Sequence, residues 1–115
     1  MMDTACRDAP GLQAVRVFTS RLARRAVLRR SCPSGHPVLA IEDDLIEMAR
    51  SKLQEHLLSS YPEGVVPAIR EEIRSAMRLI ARERVTKYGE DEPLRTELVD
   101  EVCSEPMDVL LAGRR

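Results

Sequence analysis

Aromatic residues are scarce in this chain of 115 residues, which has one phenylalanine, two tyrosines and no tryptophan. A hydrophobic core must therefore be built from aliphatic residues, which account for most of the 43% apolar content. The same scarcity argues against a surface for single-stranded nucleic acid, because such surfaces stack bases on aromatic rings. No uncharged apolar run of about 18 to 20 residues is present either, so we expect no membrane-spanning helix and no integral membrane association.

Cysteine is also scarce and occurs an odd number of times. Cys6, Cys32 and Cys103 cannot form a complete disulfide framework. A reducing compartment is the simplest interpretation, and we expect the cytoplasm. The N-terminal region lacks the continuous apolar stretch of a secretory signal.

Motifs for catalysis and cofactor binding are missing as well. The sequence has no glycine-rich phosphate loop, no G-x-S-x-G and no H-E-x-x-H. Cys32, His36, His56 and Cys103 are scattered singly, whereas zinc sites use closely spaced ligand pairs. We therefore predict that the protein is not an enzyme and holds no metal or cofactor. The remaining enzyme hypothesis places a nucleophile at Cys32 and a base at His36, and it requires that this loop be preorganised.

Charge is distributed unevenly along the chain, although its net value is only −1. Residues 1–40 contain seven arginines and two aspartates, a balance of +5, and residues 41–115 carry −6. The basic segment has four interpretations. These are docking on nucleic acid, association with an anionic membrane surface, targeting to an organelle, and packing against the acidic residues 41–115 of the same chain.

Apolar residues recur at three- and four-residue spacing in four segments, which is the pattern of amphipathic helices. The predicted helices cover residues 12–30, 42–59, 67–88 and 93–104. Residues 38–41, Val-Leu-Ala-Ile, are either a short strand or the start of the second helix. The acidic residues 42–44 suit the first turn of a helix, and Gly89 suits a helix C-terminus.

The clearest interruption is Ser-Cys-Pro-Ser-Gly-His-Pro at residues 31–37, because two prolines and a glycine cannot continue a helix. We place a boundary here. Residues 1–37 form a basic N-terminal arm and linker, with one arginine-rich amphipathic helix. Residues 38–115 form a small three-helix bundle, so the fold class is all-α. A small aliphatic core of this kind often gains stability from dimerisation.

An arginine ladder follows the third predicted helix, with Arg70, Arg74, Arg78 and Arg82 at intervals of four residues. Four guanidinium groups on the outer face of one helix would suit phosphates or an acidic partner helix. The alternative is a solvated face whose charge is partly neutralised by neighbouring glutamates. The full set of candidate contacts for nucleic acid or an acidic partner is Arg21, Arg24, Arg25, Arg70, Arg74, Arg78 and Arg82.

One stretch resembles a known family of DNA-binding proteins. VLAIEDDLIEMAR at residues 38–50 is similar to the strand-then-helix opening of ribbon-helix-helix regulators and antitoxins, and VPAIREEI at residues 66–73 would stand for their second helix. The first helix is longer than in that fold. Residues 38–41 also offer no polar or basic side chain to the major groove, where that family reads DNA. The resemblance supports a DNA-binding alternative without assigning the family.

The leading prediction is a non-enzymatic helical protein-interaction or oligomerisation module. It binds a protein partner or a second copy of itself, as a homo-oligomer, through the helix at 67–88 or through apolar edges of the bundle. The alternative is a small nucleic-acid-binding regulator, antitoxin-like or transcriptional, that uses the basic arm and the arginine ladder. Targeting to an organelle by the N-terminal segment is the alternative to a cytoplasmic location.

Overall fold

A computed structural model describes residues 10–89 and 91–105 and contains four helices. Helix α1 spans Pro10–Ser31, α2 spans Pro37–Ser60, α3 spans Pro67–Lys87 and α4 spans Glu92–Cys103. The prediction of an all-α protein is confirmed, because these two ranges contain no strand. None of the described helices has the length and apolarity needed to cross a bilayer. The sequence features at residues 1–9, at Glu90 and after residue 105 lie outside the described residues.

The start of α2 decides between the two interpretations of residues 38–41. These residues are helical, so the strand is wrong and the ribbon implied by the resemblance to ribbon-helix-helix regulators is not formed there. Pro37 occupies the first turn, where its missing N–H costs no hydrogen bond. The Nδ1 atom of His36 accepts a hydrogen bond from the Val38 N–H at 3.1 Å. Because α2 begins before the predicted residue 42, the acidic residues 42–44 lie beyond its first turn.

Helix α3 is followed by a turn at Tyr88 and Gly89. Gly89 has a φ of +79°, in the left-handed region that glycine adopts without steric cost. Its N–H donates to the carbonyl of Thr86 at 3.0 Å. The carboxylate of Asp91 then accepts a hydrogen bond from the Leu94 N–H at 3.3 Å and caps α4. The predicted end of the third helix is therefore confirmed.

One hydrophobic cluster contains residues of all four helices. Its α1 members are Ala14, Val15, Phe18, Leu22, Ala23 and Ala26. Its other members are Ile46, Ala49, Leu53, Leu57, Val65, Ile73, Met77, Ile80, Ala81, Val85, Leu98, Val99 and Val102. The cluster is aliphatic except for Phe18, whose ring is completely buried. Because aromatic residues are scarce, the one phenylalanine is the largest fully buried side chain in the core.

Helix α1 packs against each of the other three helices. Helices α3 and α4 also pack on each other, whereas α2 makes most of its contacts with α1. The chain boundary that we placed at residues 31–37 therefore falls between two closely packed helices. The division into an arm at residues 1–37 and a domain at residues 38–115 stays an interpretation of the sequence, and from this packing we do not expect residues 38–115 to fold separately.

Replacing Phe18 with alanine should lower the free energy of unfolding by about 3–5 kcal/mol, because a buried ring is lost and its space is only partly refilled. Urea unfolding followed by circular dichroism measures the change. Val17→Ala, on the exposed side of α1, is the control and should cost less than about 1 kcal/mol. Equal effects at the two positions would contradict the placement of α1 in the core.

Candidate functional site

The arginines of α1 are largely neutralised by carboxylates elsewhere in the chain. The pairs within 4.0 Å are Arg16–Glu83, Arg24–Glu42, Arg25–Asp43, Arg25–Glu105, Arg29–Glu101, Arg30–Glu97 and Arg30–Glu101. Several of these pairs are exposed and each contributes little alone. Of the candidate contacts, Arg24 and Arg25 are thus engaged within the molecule, whereas Arg21 has no carboxylate partner among the described residues.

Glu42 is a carboxylate buried where α1 meets α2. Its side chain is 4% exposed, and its Oε2 accepts a hydrogen bond from Nε of Arg24 at 2.9 Å. Its other oxygen, Oε1, has no hydrogen-bond partner in the described part of the chain. The pKa of Arg24 is raised, mainly by its hydrogen bond to Glu42 and to a smaller extent by Tyr88. Local sequence gave no signal for this burial, because the partner arginine lies 18 residues away.

Glu105, just after α4, joins two arginines from different helices. Its carboxylate accepts hydrogen bonds from Arg25 of α1 at 3.1 Å and from Arg50 of α2. The guanidinium of Arg50 also lies over the ring of Phe18, with Cζ 5.5 Å from the ring centroid. The Arg25 and Glu105 side chains are each only 15% exposed. This group of charges therefore ties α1, α2 and the end of α4 together.

The C-terminal half of the arginine ladder of α3 contacts α4. Arg78 pairs with Asp100 at 3.3 Å and Arg82 with Glu92 at 2.7 Å. Arg70 and Arg74 are half-buried and have no carboxylate partner within the described ranges. Arg70 and Arg74 are therefore less exposed than the expected outer face implies, because residues spaced by four wind slowly around a helix. The ladder as a binding site stays a prediction.

A cavity of about 430 Å³ lies beside the ladder. Its wall includes Glu71, Arg74, Ser75, Arg78, Leu79 and Cys103. Burial raises the pKa of the Cys103 thiol, with the charge of Arg78 acting in the opposite direction. A raised pKa keeps the thiol protonated at neutral pH, and the thiolate is the nucleophilic form.

The four residues considered as zinc ligands or nucleophile and base are spread over the molecule. Cys32 lies half-buried after α1, and His36 caps α2. His56 lines a cavity between α1 and α2, and Cys103 ends α4. Within residues 10–89 and 91–105, no three histidine, cysteine, aspartate or glutamate side chains come together as a group that could hold a metal ion.

The exposed ridge of α1 runs between two grooves. The groove towards α3 encloses about 290 Å³ and is lined by Arg16, Ser20, Arg21, Arg24, Arg84 and Tyr88, among others. The groove towards α2 encloses about 240 Å³ and is lined by Gln13, Ala14, Val17, Ala49, Lys52 and His56. The first is rich in guanidinium groups, and the second is mainly apolar. The sequence pattern had not indicated Arg84 or Tyr88, because α3 brings them to α1 from far along the chain.

The flank of α2 beside the second groove exposes large apolar side chains. Ile41 is 57% exposed and Met48 is 64% exposed, and Leu45 between them is half-buried. These positions are spaced as i, i+4 and i+7, so they share one side of the helix. Met48 does not belong to the buried apolar stripe of α2. An apolar residue off that stripe was the one feature of the sequence that indicated the exposed flank.

No family model, curated protein or solved structure matches the chain.

Replacing Glu105 with glutamine should lower the free energy of unfolding by about 1–3 kcal/mol, because two partly buried arginines lose their shared carboxylate. Glu97→Gln is the matched control, since Glu97 is exposed and lies 3.8 Å from Arg30; it should change stability by less than about 0.5 kcal/mol. Urea unfolding of both variants measures the difference. Similar values for the two would show that Glu105 is an ordinary surface charge.

Proposed function

We propose that the protein is a non-enzymatic helical protein-interaction module that pairs with a second copy of itself through the exposed flank of α2. The flank consists of Ile41, Leu45 and Met48, with Asp44 and Lys52 at its edge. The observation that carries the proposal is the exposure of Ile41 and Met48 on one side of a long helix.

This flank differs from the other exposed apolar residues because its apolar side chains lie next to one another. Leu79 of α3 is even more exposed, at 71%, but the residues three and four positions before and after it are serine, alanine, arginine and glutamate. Single exposed apolar side chains are normal on protein surfaces, whereas a contiguous group favours an interface. Burial of apolar area against a partner would remove this surface from water and stabilise the complex.

The charges beside Met48 favour a second copy as the partner. Asp44 and Lys52 lie four residues on either side of Met48, and neither forms an ion pair with a described residue. When two α2 helices pack antiparallel around a two-fold axis at Met48, Lys52 of each copy lies opposite Asp44 of the other. A two-fold interface repeats this pair, so one helix surface is complementary to itself.

The nucleic-acid alternative stays a prediction. Of the arginines that it requires, Arg24, Arg25, Arg78 and Arg82 already pair with carboxylates of this chain. Phosphate binding through those four would have to compete with internal pairs, which lowers the electrostatic gain available from counterion release. The expected cytoplasmic location also stays a prediction.

Replacing Met48 with glutamate should weaken self-association, because a charge would be placed at the centre of an apolar contact. Sedimentation equilibrium should show a dimer for the parent protein and a dissociation constant at least about tenfold higher for Met48→Glu. Leu79→Glu is the matched control and should leave the constant within about twofold. A parent protein that stays monomeric at high concentration, or a Met48→Glu variant that dimerises as well as the parent, would contradict the proposal.

The antiparallel arrangement can be tested by reversing charges. Lys52→Asp and Asp44→Lys should each weaken the dimer, because like charges then face each other twice across the two-fold axis. The variant that carries both changes should regain most of the affinity, since opposite charges face each other again. If the double variant is weaker than either single variant, the register around Met48 is wrong.

A further inference from the structure

The groove between α1 and α3 carries more positive charge than its carboxylates neutralise. Four arginines, Arg16, Arg21, Arg24 and Arg84, are among the residues that line it. Two carboxylates approach these four groups: Glu83 lies 3.8 Å from Arg16, and Glu42 lies 2.9 Å from Arg24. Two positive charges, on Arg21 and Arg84, are therefore left without a carboxylate among the described residues.

Two of the arginines are held in place by bonds from their Nε atoms. Nε of Arg24 donates to the buried Glu42, and Nε of Arg84 donates to Oγ of Ser20 at 3.1 Å. The terminal Nη atoms of Arg84 have no hydrogen-bond partner in the part of the chain that the structure describes. A guanidinium oriented in this way loses less conformational entropy when it binds an acceptor.

We propose that this groove binds the phosphate group of a small phosphorylated molecule. A phosphate monoester carries about 1.5 to 2 negative charges at neutral pH, which matches the two uncompensated positive charges. Paired guanidinium donors fit the spacing of phosphate oxygens. Ser20 and Tyr88 line the same groove, and each carries a hydroxyl group that can form a further hydrogen bond.

The size of the groove supports a small ligand. Its volume of about 290 Å³ is just below the range of about 300–1,000 Å³ that is typical of small-molecule sites. A phosphate with a compact organic group fits such a volume. The phenol ring of Tyr88 is half-exposed at the wall and provides an apolar surface for that group.

Titration with inorganic phosphate, followed by amide NMR at constant ionic strength, tests the site in the full chain. Saturable shifts should be concentrated at residues 16–24 and 84–88. The double variant Arg21→Gln with Arg84→Gln should raise the dissociation constant by at least about tenfold, because both uncompensated charges are lost. Phosphate binding that does not saturate, or shifts spread evenly over the surface, would overturn the proposal.

Arg74→Gln is the matched control, because Arg74 also lacks a carboxylate partner among the described residues but lines the cavity beside α4. It should change the phosphate dissociation constant by less than about twofold. An equal loss of binding in the control and the double variant would mean that only net charge matters, which overturns a specific site. Unchanged circular dichroism of each variant shows that the helices remain folded.

The source of the phosphate is distinguished by three further probes, which are adenosine monophosphate, adenosine and a short DNA duplex. Adenosine monophosphate should bind at least as well as inorganic phosphate and adenosine should not bind, because the phosphate supplies the charge. The duplex, at equal phosphate concentration, should bind no more tightly than inorganic phosphate. Tighter duplex binding with shifts that extend along the arginine ladder would overturn the small-molecule assignment in favour of nucleic acid.

Discussion

The fold depends on the burial of one face of α1. Phe18, Ala23 and Ala26 on this face are almost completely buried. Helix α2 reaches α3 and α4 mainly through α1, because its own contacts with those helices are few. The amphipathic stripe of residues 12–30 is thus a central element of the core, and an amphipathic helix usually buries its apolar face within its own chain.

Charge complements this burial. The basic residues of α1 meet acidic residues of the other helices, so the opposite charges of the two parts of the chain largely neutralise each other inside one molecule. Glu42 and Glu105 hold the most buried of these contacts. The two proposed binding surfaces use residues that this pairing leaves out, which are Met48 with its neighbours on α2 and Arg21 with Arg84 in the groove beside α3.

Local pattern was sufficient to place the helices but not the contacts between them. Apolar spacing and proline positions located all four helices to within two residues at every end except the start of α2. That start lies five residues earlier than predicted, because the capping role of His36 before Pro37 was not foreseen. From the sequence, Glu42 was interpreted as a charge in the first turn of a helix. In the structure it is buried between α1 and α2, where it accepts a hydrogen bond from Arg24. Arg84 and Tyr88 could not be grouped with α1, since only tertiary packing brings residues from such different parts of the chain together.

The most direct test of α1 as the centre of the fold is urea unfolding of residues 38–115 alone, beside the full chain. Without α1, α2 loses most of its packing contacts and the buried faces of α3 and α4 are opened to water. We expect no cooperative transition for the shortened chain and a single cooperative transition for the full chain. A shortened chain that unfolds cooperatively at the same urea concentration as the full chain would contradict the account and establish residues 38–115 as an independent bundle.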